Sequence, residues 1–579
     1  MNNKQYVLGI NCTYHESSVC LLKDGKIIAF IEEERLNRIK HAKPANIDNS
    51  DELPLLALNY CLNKTGINLA DVSYVGYNLD PKKRLDKNLN HIHPYTPTQN
   101  DFGTKEGEEL FYQKNINVEN KIRELGFKGE FYFLPHHDCH GANSYFSSGY
   151  TSSAVLVIDG ISEFESTTLY YAKGNSLEKI TSIDFPNSLG FLWEKISKFL
   201  GFKYTDAAKV MGLTSYGNPE IFRDKFKKLI TVNQDGTFFI NDSIISFRNE
   251  DYSELENLFG LKRYEGRILK IEGEAKKYAD LASTLQSITE DIIIKLALNL
   301  KEKTGEDNLC IGGGVALNCV ANGKLIEKNI FKNIYISPTS NDAGGAIGAA
   351  FIIATKMLKQ NKIEPIEDAY LGPEYTEQQI LNALAKSDLE YKKIKNIEEI
   401  VAKYLAEGKL VAWFEGKAEV GPRALGHRSL LADPRNKECF ELINQKVKLR
   451  EIFRPLCPSF LEEEIFNWIE FGNINTIPDP AKYMLAAFQA KPGKKDIIPA
   501  VVHVDNTSRV QAVSKKTSLQ YWNLINEFFK ITGVPALMNT SFNIQEPIVS
   551  SPEDAIKTFS KSKIDFLVIE NYLCKRKQS

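Results

Sequence analysis

The segment LPHHDCHGANSYFSSG at residues 134–149 contains three of the nine histidines of the chain. His136 and His140 are four residues apart, and on a helix this spacing puts two imidazoles on one face, one turn from each other. Neutral imidazole nitrogens are ligands for iron(II) and zinc. The spacing therefore predicts part of a metal site, which two histidines do not complete.

Two aspartates are candidates for the missing oxygen ligands. Asp159 follows the apolar run of VIDG, and Asp342 lies in the strand-to-helix turn SND. Two imidazoles and two carboxylates would form a mixed site with room for a ligand oxygen. The alternative is that the histidines form a surface cluster or a helix cap and that each aspartate caps its own turn.

Two further residues in the first half of the chain are candidates for chemistry. His15 lies in the loop after the first apolar run, and a histidine there is a candidate general base because its pKa lies near the working pH. Lys209, in DAAKVMGLTSYGNP, precedes a predicted Met-Gly turn that lacks the spacing of a P-loop. Each side chain, taken alone, is more often exposed to solvent.

The C-terminal part of the chain concentrates basic residues among Gly, Pro and short polar residues. Lys448 and Arg450 would point the same way on a predicted strand, and Ser541 and Asn543 share a face if NTSFN is extended. Guanidinium groups bind phosphate bidentately, so this composition predicts a pocket for a polyphosphate or carbamoyl phosphate rather than a solvated basic face. The other basic residues of the group are Arg423, Arg428, Arg435, Arg454 and Arg509.

These side chains need a scaffold, and the sequence predicts a duplicated one. Residues 6–34 and 153–182 each read as an apolar strand, a polar loop and a hairpin, closed by Asp-Gly in the first and Gly-Asn in the second. Residues 279–305 form the longest amphipathic helical pattern. Two glycine-containing strand-to-helix turns follow, in CIGGGVALN and ISPTSNDAGG, and such turns suit a phosphate or a ribose. A Pro- and acid-rich stretch near residue 365 predicts a boundary, with a second α/β domain after it.

Composition and charge exclude several protein classes. The 579 residues are 43% hydrophobic and 25% charged, with a formal net charge of -2, so neither wholesale disorder nor a general affinity for nucleic acid or an anionic membrane is predicted. Glu16 interrupts the N-terminal stretch where a signal peptide requires apolar residues. The nine cysteines include no C-x-x-C pair, so we expect a reduced, cytoplasmic protein.

Taken together, these motifs resemble the carbamoyltransferase family that includes nodulation protein U, the cephamycin carbamoyltransferase and the tobramycin carbamoyltransferase. The resemblance covers nearly the whole chain and depends on the order and spacing of several segments. They are EEERLNRIKH, HHDCHGA, VIDG, KVMGLTSYG, GGGVALNCVANGKL, SNDAGGAIGAA, EVGPRALGHRSLLADPR, VKLREIFRPLCP, HVDNTSR and NTSFN.

The resemblance implies an α/β fold with two domains. Residues 1–365 would form a duplicated domain similar to the ATPase of threonylcarbamoyl-tRNA synthesis, in the actin and sugar-kinase superfamily. Residues 366–579 would form a YrdC-like domain. Carbamoyl phosphate and ATP, with magnesium, would form carbamoyl adenylate and pyrophosphate in the second domain. The first domain would pass the carbamoyl group to a hydroxyl of an antibiotic, an oligosaccharide or a toxin.

The family's functional residues match positions of this sequence. His136, His140, Asp159 and Asp342 match its metal ligands, where iron(II) is expected and zinc or manganese are alternatives, and His15 matches its catalytic histidine. Residues in segments expected to contact the adenylate are Lys209, Gly312, Gly313, Gly314, Asn318 and Asn322. The YrdC-type motifs are matched by Lys448, Arg450, Ser541 and Asn543, with Arg423, Arg428, Arg454 and Arg509 as anion-binding residues around them.

One position departs from the family pattern. Family members can carry an aspartate two residues before the catalytic histidine, and this sequence has Thr13 there. In an extended loop the adjacent Glu16 would point away from His15. The carboxylate that orients the imidazole is then missing or supplied by another element.

Two other functions remain as alternatives. A sugar-kinase-like phosphotransferase would release ADP and a phosphorylated product, but it has no need of the C-terminal basic motifs. A non-catalytic nucleotide-binding scaffold would release neither. The acceptor is predicted to contact loops around His15 and the polar stretch at residues 85–103.

Overall fold

The computed structural model describes residues 5–90, 102–358 and 363–577, which form two compact mixed α/β units. The first unit comprises Met1–Ile268, Gly273–Ala321 and Lys328–Ile366. The second comprises Leu269–Glu272, Asn322–Glu327 and Glu367–Ser579.

Two five-stranded sheets dominate the first unit. The first sheet has the order β3-β2-β1-β4-β5 and the second the order β8-β7-β6-β11-β12, while β9 and β10 form a separate pair. The strands are β1 (Tyr6–Asn11), β2 (Ser18–Lys23), β3 (Lys26–Glu32), β4 (Val72–Tyr77), β5 (Glu130–Phe133), β6 (Ser152–Ile158), β7 (Glu165–Lys173), β8 (Ser176–Asp184), β9 (Ile230–Val232), β10 (Phe238–Ile240), β11 (Asn308–Gly312) and β12 (Asn333–Ile336).

The two large sheets have the same topology, which confirms the predicted duplication. In each sheet the first strand pairs with a hairpin on one side, antiparallel, and with a parallel strand on the other side. The two residues that close the first hairpin are Asp24 and Gly25, and those that close the second are Gly174 and Asn175. The duplication places the ends of β1 and β6, and the loops that follow them, at equivalent positions of two related sheets.

The helices of the first unit follow the sheets along the chain. The amphipathic pattern predicted at 279–305 is part of α11, which ends before Gly305, a residue with left-handed φ of 67°. The helices are α1 (Glu34–Asn37), α2 (Leu55–Thr65), α3 (Pro81–Leu89), α4 (Lys105–Glu124), α5 (His136–Ser148), α6 (Leu189–Phe199), α7 (Ala207–Thr214), α8 (Arg223–Leu229), α9 (Asp242–Ile245), α10 (Ser253–Phe259), α11 (Ala275–Thr304), α12 (Cys319–Glu327, which continues into the second unit) and α13 (Ala343–Lys356).

Strand β1 is buried on both faces because different helices cover them. Leu8 and Ile10 belong to a hydrophobic core that includes Phe111 of α4. Gly9, on the opposite face, meets α13 so closely that a Cβ would lie 1.8 Å from the carbonyl oxygen of Ala346. Only glycine fits there, and α13 therefore lies directly against the first sheet.

The second unit contains an eight-stranded mixed sheet and a three-stranded sheet. Their orders are β13-β23-β22-β14-β15-β21-β16-β20 and β17-β18-β19. The strands are β13 (Leu389–Lys393), β14 (Val411–Phe414), β15 (Arg428–Ala432), β16 (Cys457–Leu461), β17 (Ile469–Glu470), β18 (Ala487–Ala490), β19 (Thr507–Arg509), β20 (Gln511–Val513), β21 (Ala536–Ser541), β22 (Phe566–Ile569) and β23 (Tyr572–Arg576). The helices are α14 (Glu377–Ala385), α15 (Ile397–Ala406), α16 (Lys437–Leu442), α17 (Asp479–Lys482), α18 (Lys494–Ile497), α19 (Leu519–Thr532) and α20 (Pro552–Lys561).

The strand predicted for Lys448 and Arg450 is wrong. A π-helical turn, Ile443–Val447, precedes Lys448, and Leu449 has a left-handed φ of 49°. An extended strand cannot contain a left-handed residue, so the alternation of side chains does not apply here. Single π-helical turns are frequent at functional sites.

Three further observations bear on the sequence predictions. All nine cysteines are buried and free, as expected from their spacing. Among the described residues, no helix combines the length and the apolar character that crossing a membrane requires. Of the polar stretch proposed for the acceptor, residues 85–89 lie in α3, whereas 91–101 fall outside the described residues.

Candidate functional site

Helix α5 begins at His136, so His136 and His140 share a helical face, as the spacing predicts. Their Nε2 atoms are 3.1 Å apart, and each lies 3.3 Å from Oδ2 of Asp159. Oδ1 of Asp342 is 3.7 Å from Nε2 of His136 and 3.6 Å from Nε2 of His140. All four residues are buried, and one ligand atom from each lies within 4.8 Å of the others.

The dimensions and composition of this cluster fit a divalent metal ion. Ligands about 2.1 Å from an octahedral or tetrahedral ion lie roughly 3.0 to 3.4 Å from one another. The measured distances run from 3.1 to 3.7 Å. Four groups with lone pairs repel one another in a buried space unless a cation or protons lie between them. The four side chains can therefore hold a metal ion, and two nitrogens with two oxygens suit iron(II), zinc or manganese.

Hydrogen bonds outside the cluster orient His136. Its Nδ1 lies 3.3 Å from the carbonyl oxygen of Asn78, and donation to that oxygen leaves Nε2 unprotonated toward the cluster. The buried carboxylate of Glu163 accepts the backbone N–H groups of His136 and Asp80 at 2.9 and 3.0 Å. Sequence analysis missed Glu163 because a single glutamate in a loop has no spacing signal.

The triple-glycine turn after β11 positions Asp159. The N–H of Gly314 donates to Oδ1 of Asp159 at 3.0 Å. Gly313 has a φ of 88°, and a Cβ there would lie 2.2 Å from the carbonyl oxygen of Ile158. A Cβ on Gly312 would lie 2.6 Å from a side-chain oxygen of α5. Gly313 and Gly314 thus pack against the turn that carries Asp159, and Gly312 packs against α5. The contact of the three glycines with a nucleotide stays a prediction.

Helix α13 positions Asp342, which immediately precedes it. The sequence AGGAIGAA allows this helix to lie close against α5, because a Cβ on Gly348 would lie 1.8 Å from the carbonyl oxygen of Cys139. The hydroxyl of Ser18 donates to the carbonyl of Ala343 at 2.7 Å and ties the helix start to β2. Small side chains therefore set the distance between the two histidines and the second aspartate.

His15 lies beside the cluster and is half-buried. Its Nδ1 is 3.5 Å from Oδ2 of Asp342 and 3.7 Å from Oε2 of Glu16. The prediction that Glu16 points away is wrong, because residue 16 has a left-handed φ of 54° and is not extended. Burial lowers the pKa of His15, but the charges of Asp342 and Glu16 outweigh it and raise the pKa to about 10. A cation bound to Asp342 opposes that rise, because it neutralises the charge that contributes most to it.

Helix α6 contributes a carboxyl group that sequence analysis missed. Glu194 lies one turn after Gly190 in this helix. A Cβ on Gly190 would lie 2.7 Å from the carbonyl oxygen of Asp159, so the helix lies against the turn that carries Asp159. Burial raises the pKa of Glu194 to about 7; the charge of His15 opposes the rise, while Asp159 and Asp342 add to it. A lone glutamate in an amphipathic helix is usually solvated, so its sequence alone carries no sign of this environment.

Three residues predicted to contact the adenylate have partners within the chain. Lys209 lies inside α7, so the predicted Met-Gly turn is wrong, and its ammonium pairs with Asp206 at 2.8 Å. The amide of Asn318 exchanges two hydrogen bonds with Gln286, at 2.9 and 3.1 Å. The amide of Asn322 donates to the carbonyl of Leu485 at 2.7 Å. These contacts give each side chain a structural role.

In the second unit, Lys448 is brought together with Ser541 and Asn543. Its ammonium donates to the carbonyl and the hydroxyl of Ser541 and to the carbonyl and the side-chain oxygen of Asn543. The hydroxyl of Ser541 donates to the side-chain oxygen of Asn543 at 2.7 Å. Lys448 is buried, so these contacts hold a positive charge at a defined position next to two short polar side chains.

Three arginines lie near one another in the same unit. Burial lowers the pKa of Arg450 well below its usual range, and the charges of Arg454 and Arg509 add to this effect. Arg450 donates to the side chain of Asn444 at 2.6 Å, and Arg509 donates to the sulfur of Cys457 at 3.1 Å. Like charges that approach in this way favour the binding of an anion.

The other predicted anion-binding arginines differ from this group. Arg423 is half-buried in the loop before β15. Arg428 is fully buried, and its Nη atoms donate to the carbonyls of Glu415, His427, Pro373 and Gly416. Its guanidinium joins loops of the unit through their main chains, and its contact with an anion stays a prediction. Arg435 pairs with Asp433 at 2.6 Å.

Comparison with known proteins gives two family matches. The family described as Carbamoyltransferase N-terminus matches residues 6–351, and that described as Carbamoyltransferase C-terminus matches residues 402–576. The two matches together span most of the chain and include every residue of the histidine–aspartate cluster and of the lysine–serine–asparagine group.

Three relatives match over 80% or more of their own lengths. An uncharacterized protein from Synechocystis sp. is 34% identical, with 98% of this chain and 96% of the relative covered. Nodulation protein NolNO from Sinorhizobium fredii is 33% identical, over 98% of this chain and 80% of the relative. Nodulation protein U from Rhizobium tropici is 27% identical, over 93% of this chain and 91% of the relative.

Proposed function

Because the chain belongs to the carbamoyltransferase family, and is therefore a transferase, we propose that it forms carbamoyl adenylate and transfers the carbamoyl group to a hydroxyl. Carbamoyl phosphate and ATP with magnesium are the substrates. The acceptor is a small molecule or a glycan, of the antibiotic, oligosaccharide or toxin classes. We assign the protein to the cytoplasm, where its nine free cysteines stay reduced.

The observation that supports this function best is the presence of two different groups of residues in one chain. The second unit has a buried lysine with nearby arginines, which suits triphosphate and phosphate. The first unit has a buried cluster of two histidines and two aspartates with a further histidine beside it, which suits acyl transfer. A phosphotransferase of the sugar-kinase type needs only one nucleotide site and no second basic group.

Carbamoyl adenylate is formed in the second unit, the one that contains Lys448. Water cleaves carbamoyl phosphate to carbamate and phosphate, and a carbamate oxygen then attacks the α-phosphorus of ATP and displaces pyrophosphate. Lys448, held by Ser541 and Asn543, contacts the phosphates, and Arg450 with Arg454 neutralises the charge that develops on the leaving group. The bond formed is the carbamoyl–AMP anhydride, and the bond broken is that between the α- and β-phosphates.

Transfer of the carbamoyl group to the acceptor takes place in the first unit, the one that contains His15. His15 accepts the proton of the acceptor hydroxyl, whose oxygen attacks the carbamoyl carbon while AMP leaves. His136, His140, Asp159 and Asp342 would hold a divalent ion, which supplies a Lewis acid for the carbamoyl carbonyl or the phosphate. Gly312, Gly313 and Gly314 contact the adenylate, and the N–H of Gly314 also donates to Asp159.

Exchange of labelled pyrophosphate into ATP, measured in the presence of carbamoyl phosphate, tests the first reaction. Replacing the buried Lys448 by methionine removes the charge and should lower exchange by about 100-fold or more. Lys446, an exposed residue of the same π-helical turn, offers a matched control, and Lys446→Met should leave exchange within about twofold. Wild-type exchange by Lys448→Met, or ADP as the nucleotide product, would refute the proposal.

A further inference from the structure

Position 13 does not supply the carboxylate that a catalytic histidine at position 15 needs. The hydroxyl of Thr13 lies 2.8 Å from the hydroxyl of Tyr77. The Thr13 hydroxyl also donates to the side-chain oxygen of Asn115 at 3.5 Å. Thr13 is buried, and these partners belong to β4 and α4. Another group must hold the Nδ1–H of His15 if Nε2 is to accept a proton.

Glu16 is in a position to do so. Its Oε2 is 3.7 Å from Nδ1 of His15, and its Oε1 is 3.4 Å from Nδ1 of His41. The amide of Asn341 donates to Oε2 at 2.6 Å. One carboxylate therefore faces two imidazoles and is fixed by an amide next to Asp342.

Left-handed backbone conformations at three residues bring these groups together. Glu16, His41 and Ala42 have left-handed φ angles of 54°, 64° and 66°, which non-glycine residues rarely adopt. The N–H of Glu16 donates to the carbonyl of His41 at 2.9 Å, and the N–H of His41 donates to a carboxylate oxygen of Glu34 at 2.7 Å. Strained backbone of this kind persists where function requires the geometry.

Nδ1 of His15 makes no hydrogen bond in the described part of the chain. Its two nearest carboxylate oxygens, on Asp342 and Glu16, are at 3.5 and 3.7 Å, too far for a hydrogen bond but within the range of an ion pair. Asp342 is a candidate metal ligand, so its charge is shared with the cluster. A movement of about 1 Å would close the bond to Glu16, and such bonds commonly tighten when substrate binds.

We propose that Glu16 is a positioning residue for His15, whose Nδ1–H it accepts during transfer, and that His41 holds the other oxygen of the same carboxylate. Donation to Glu16 fixes the tautomer in which Nε2 accepts the proton of the acceptor. The proposal deepens the proposed function and rests on it.

Matched variants separate positioning from loop structure. Glu16→Gln keeps the shape and can still accept from Asn341, but it replaces one acceptor oxygen by an amide NH2. Glu34→Gln makes the same chemical change at a carboxylate that holds the backbone of His41 and is bonded to neither imidazole. Glu16→Asp keeps the charge and should restore part of the activity that Glu16→Gln loses.

Two assays follow transfer without knowledge of the acceptor. Carbamoyl-phosphate-dependent release of AMP, with water as the acceptor, reports transfer, and pyrophosphate exchange reports adenylation. Glu16→Gln should lower AMP release by about 10- to 100-fold and leave exchange within about twofold. Glu34→Gln should change neither by more than about threefold. The proposal is overturned if Glu16→Gln and Glu34→Gln release AMP at equal rates. It is also overturned if Glu16→Gln loses AMP release and pyrophosphate exchange in parallel.

Nitrogen-15 spectra of histidine-labelled protein give a readout that does not depend on activity. His15→Gln identifies the signals of His15, and Glu16→Gln should shift the Nδ1 signals of His15 and His41. The signals of His427 and His503, which belong to the second unit, are internal controls. Unchanged His15 signals in Glu16→Gln would refute the proposal. If the wild type showed no exchange, the proposed function would fail, and these spectra would still decide the role of Glu16.

Discussion

The close approach of α13 and α5 can be tested by one methyl group at Gly348. A Cβ there would lie 1.8 Å from the carbonyl oxygen of Cys139, whereas ordinary contacts begin near 3.4 Å. The two helices must therefore move apart by about 1.5 Å at this point, or the alanine must distort its own turn. Helix α5 carries His136 and His140, and α13 begins directly after Asp342, so the movement is transmitted to the cluster.

We expect Gly348→Ala to lower stability by about 1 to 3 kcal/mol, the usual range for overpacking a buried contact. Asp342 is 3.6 Å from His140, and a further separation of about 1.5 Å exceeds the roughly 4.2 Å that two trans ligands of one ion can span. Affinity for Zn²⁺ should therefore fall by roughly 10- to 100-fold, as for other changes that displace metal ligands. Competition with a chromophoric chelator measures the affinity, and thermal unfolding measures the stability.

Gly141→Ala is the matched control, because Gly141 follows His140 on the same helix. The nearest contact of a Cβ there would be a methyl group of Leu177, at 3.0 Å, and a flexible side chain can move. Zn²⁺ affinity should stay within about threefold of the wild type. If Gly348→Ala bound Zn²⁺ as tightly as Gly141→Ala, the small residues of α13 would not set the geometry of the cluster.

Three further predictions address other parts of the molecule. Arg84 and Glu108 form a buried bidentate ion pair at 3.0 Å. Arg84→Met should therefore lower the free energy of unfolding, measured with urea, by about 3 to 5 kcal/mol. A loss below about 1 kcal/mol would contradict a role of the pair in stability. Burial lowers the pKa of His427 to about 3, so the unfolded chain binds the proton more readily and stability falls as the pH drops from about 6.5 toward 3. Between pH 7 and 4.5 this loss is about 2.5 kcal/mol, which His427→Gln should abolish; an equal loss in both proteins would refute it. Zn²⁺ at 100 times its Kd should add about 2.7 kcal/mol to wild-type stability and nothing to Asp159→Asn, and an equal rise in melting temperature for both would argue against the cluster as a metal site.

Much of the first unit could be predicted from the sequence because its signals are local. The i, i+4 spacing of His136 and His140 determines a shared helical face once a helix forms. The hairpins that follow β1 and β6 have turn residues of their own, so the duplicated topology was visible. Asp159 follows β6 and Asp342 comes after β12, two parallel strands of one sheet on either side of β11, and the carboxyl ends of parallel strands lie at one edge.

The failures have physical causes that spacing cannot reveal. Lys448 and Arg450 lie at a π-helical turn and a left-handed residue, which no two-residue period describes. The contacts of Arg428 with carbonyls of several loops, which the sequence does not predict, depend on the tertiary fold. Glu16 turns toward His15 through a left-handed backbone angle. Glu194 is half-buried on a helix whose Gly190 packs against the turn that follows β6. In each case distant segments decide the environment of the side chain.

The nucleotide products formed from ATP in the presence of carbamoyl phosphate show whether the protein makes carbamoyl adenylate. Phosphorus NMR of the reaction mixture distinguishes AMP, ADP, phosphate and pyrophosphate in one experiment. We expect AMP, pyrophosphate and phosphate in equal amounts, all dependent on carbamoyl phosphate and all lost in Lys448→Met. Formation of ADP, or of AMP at the same rate without carbamoyl phosphate, would contradict it.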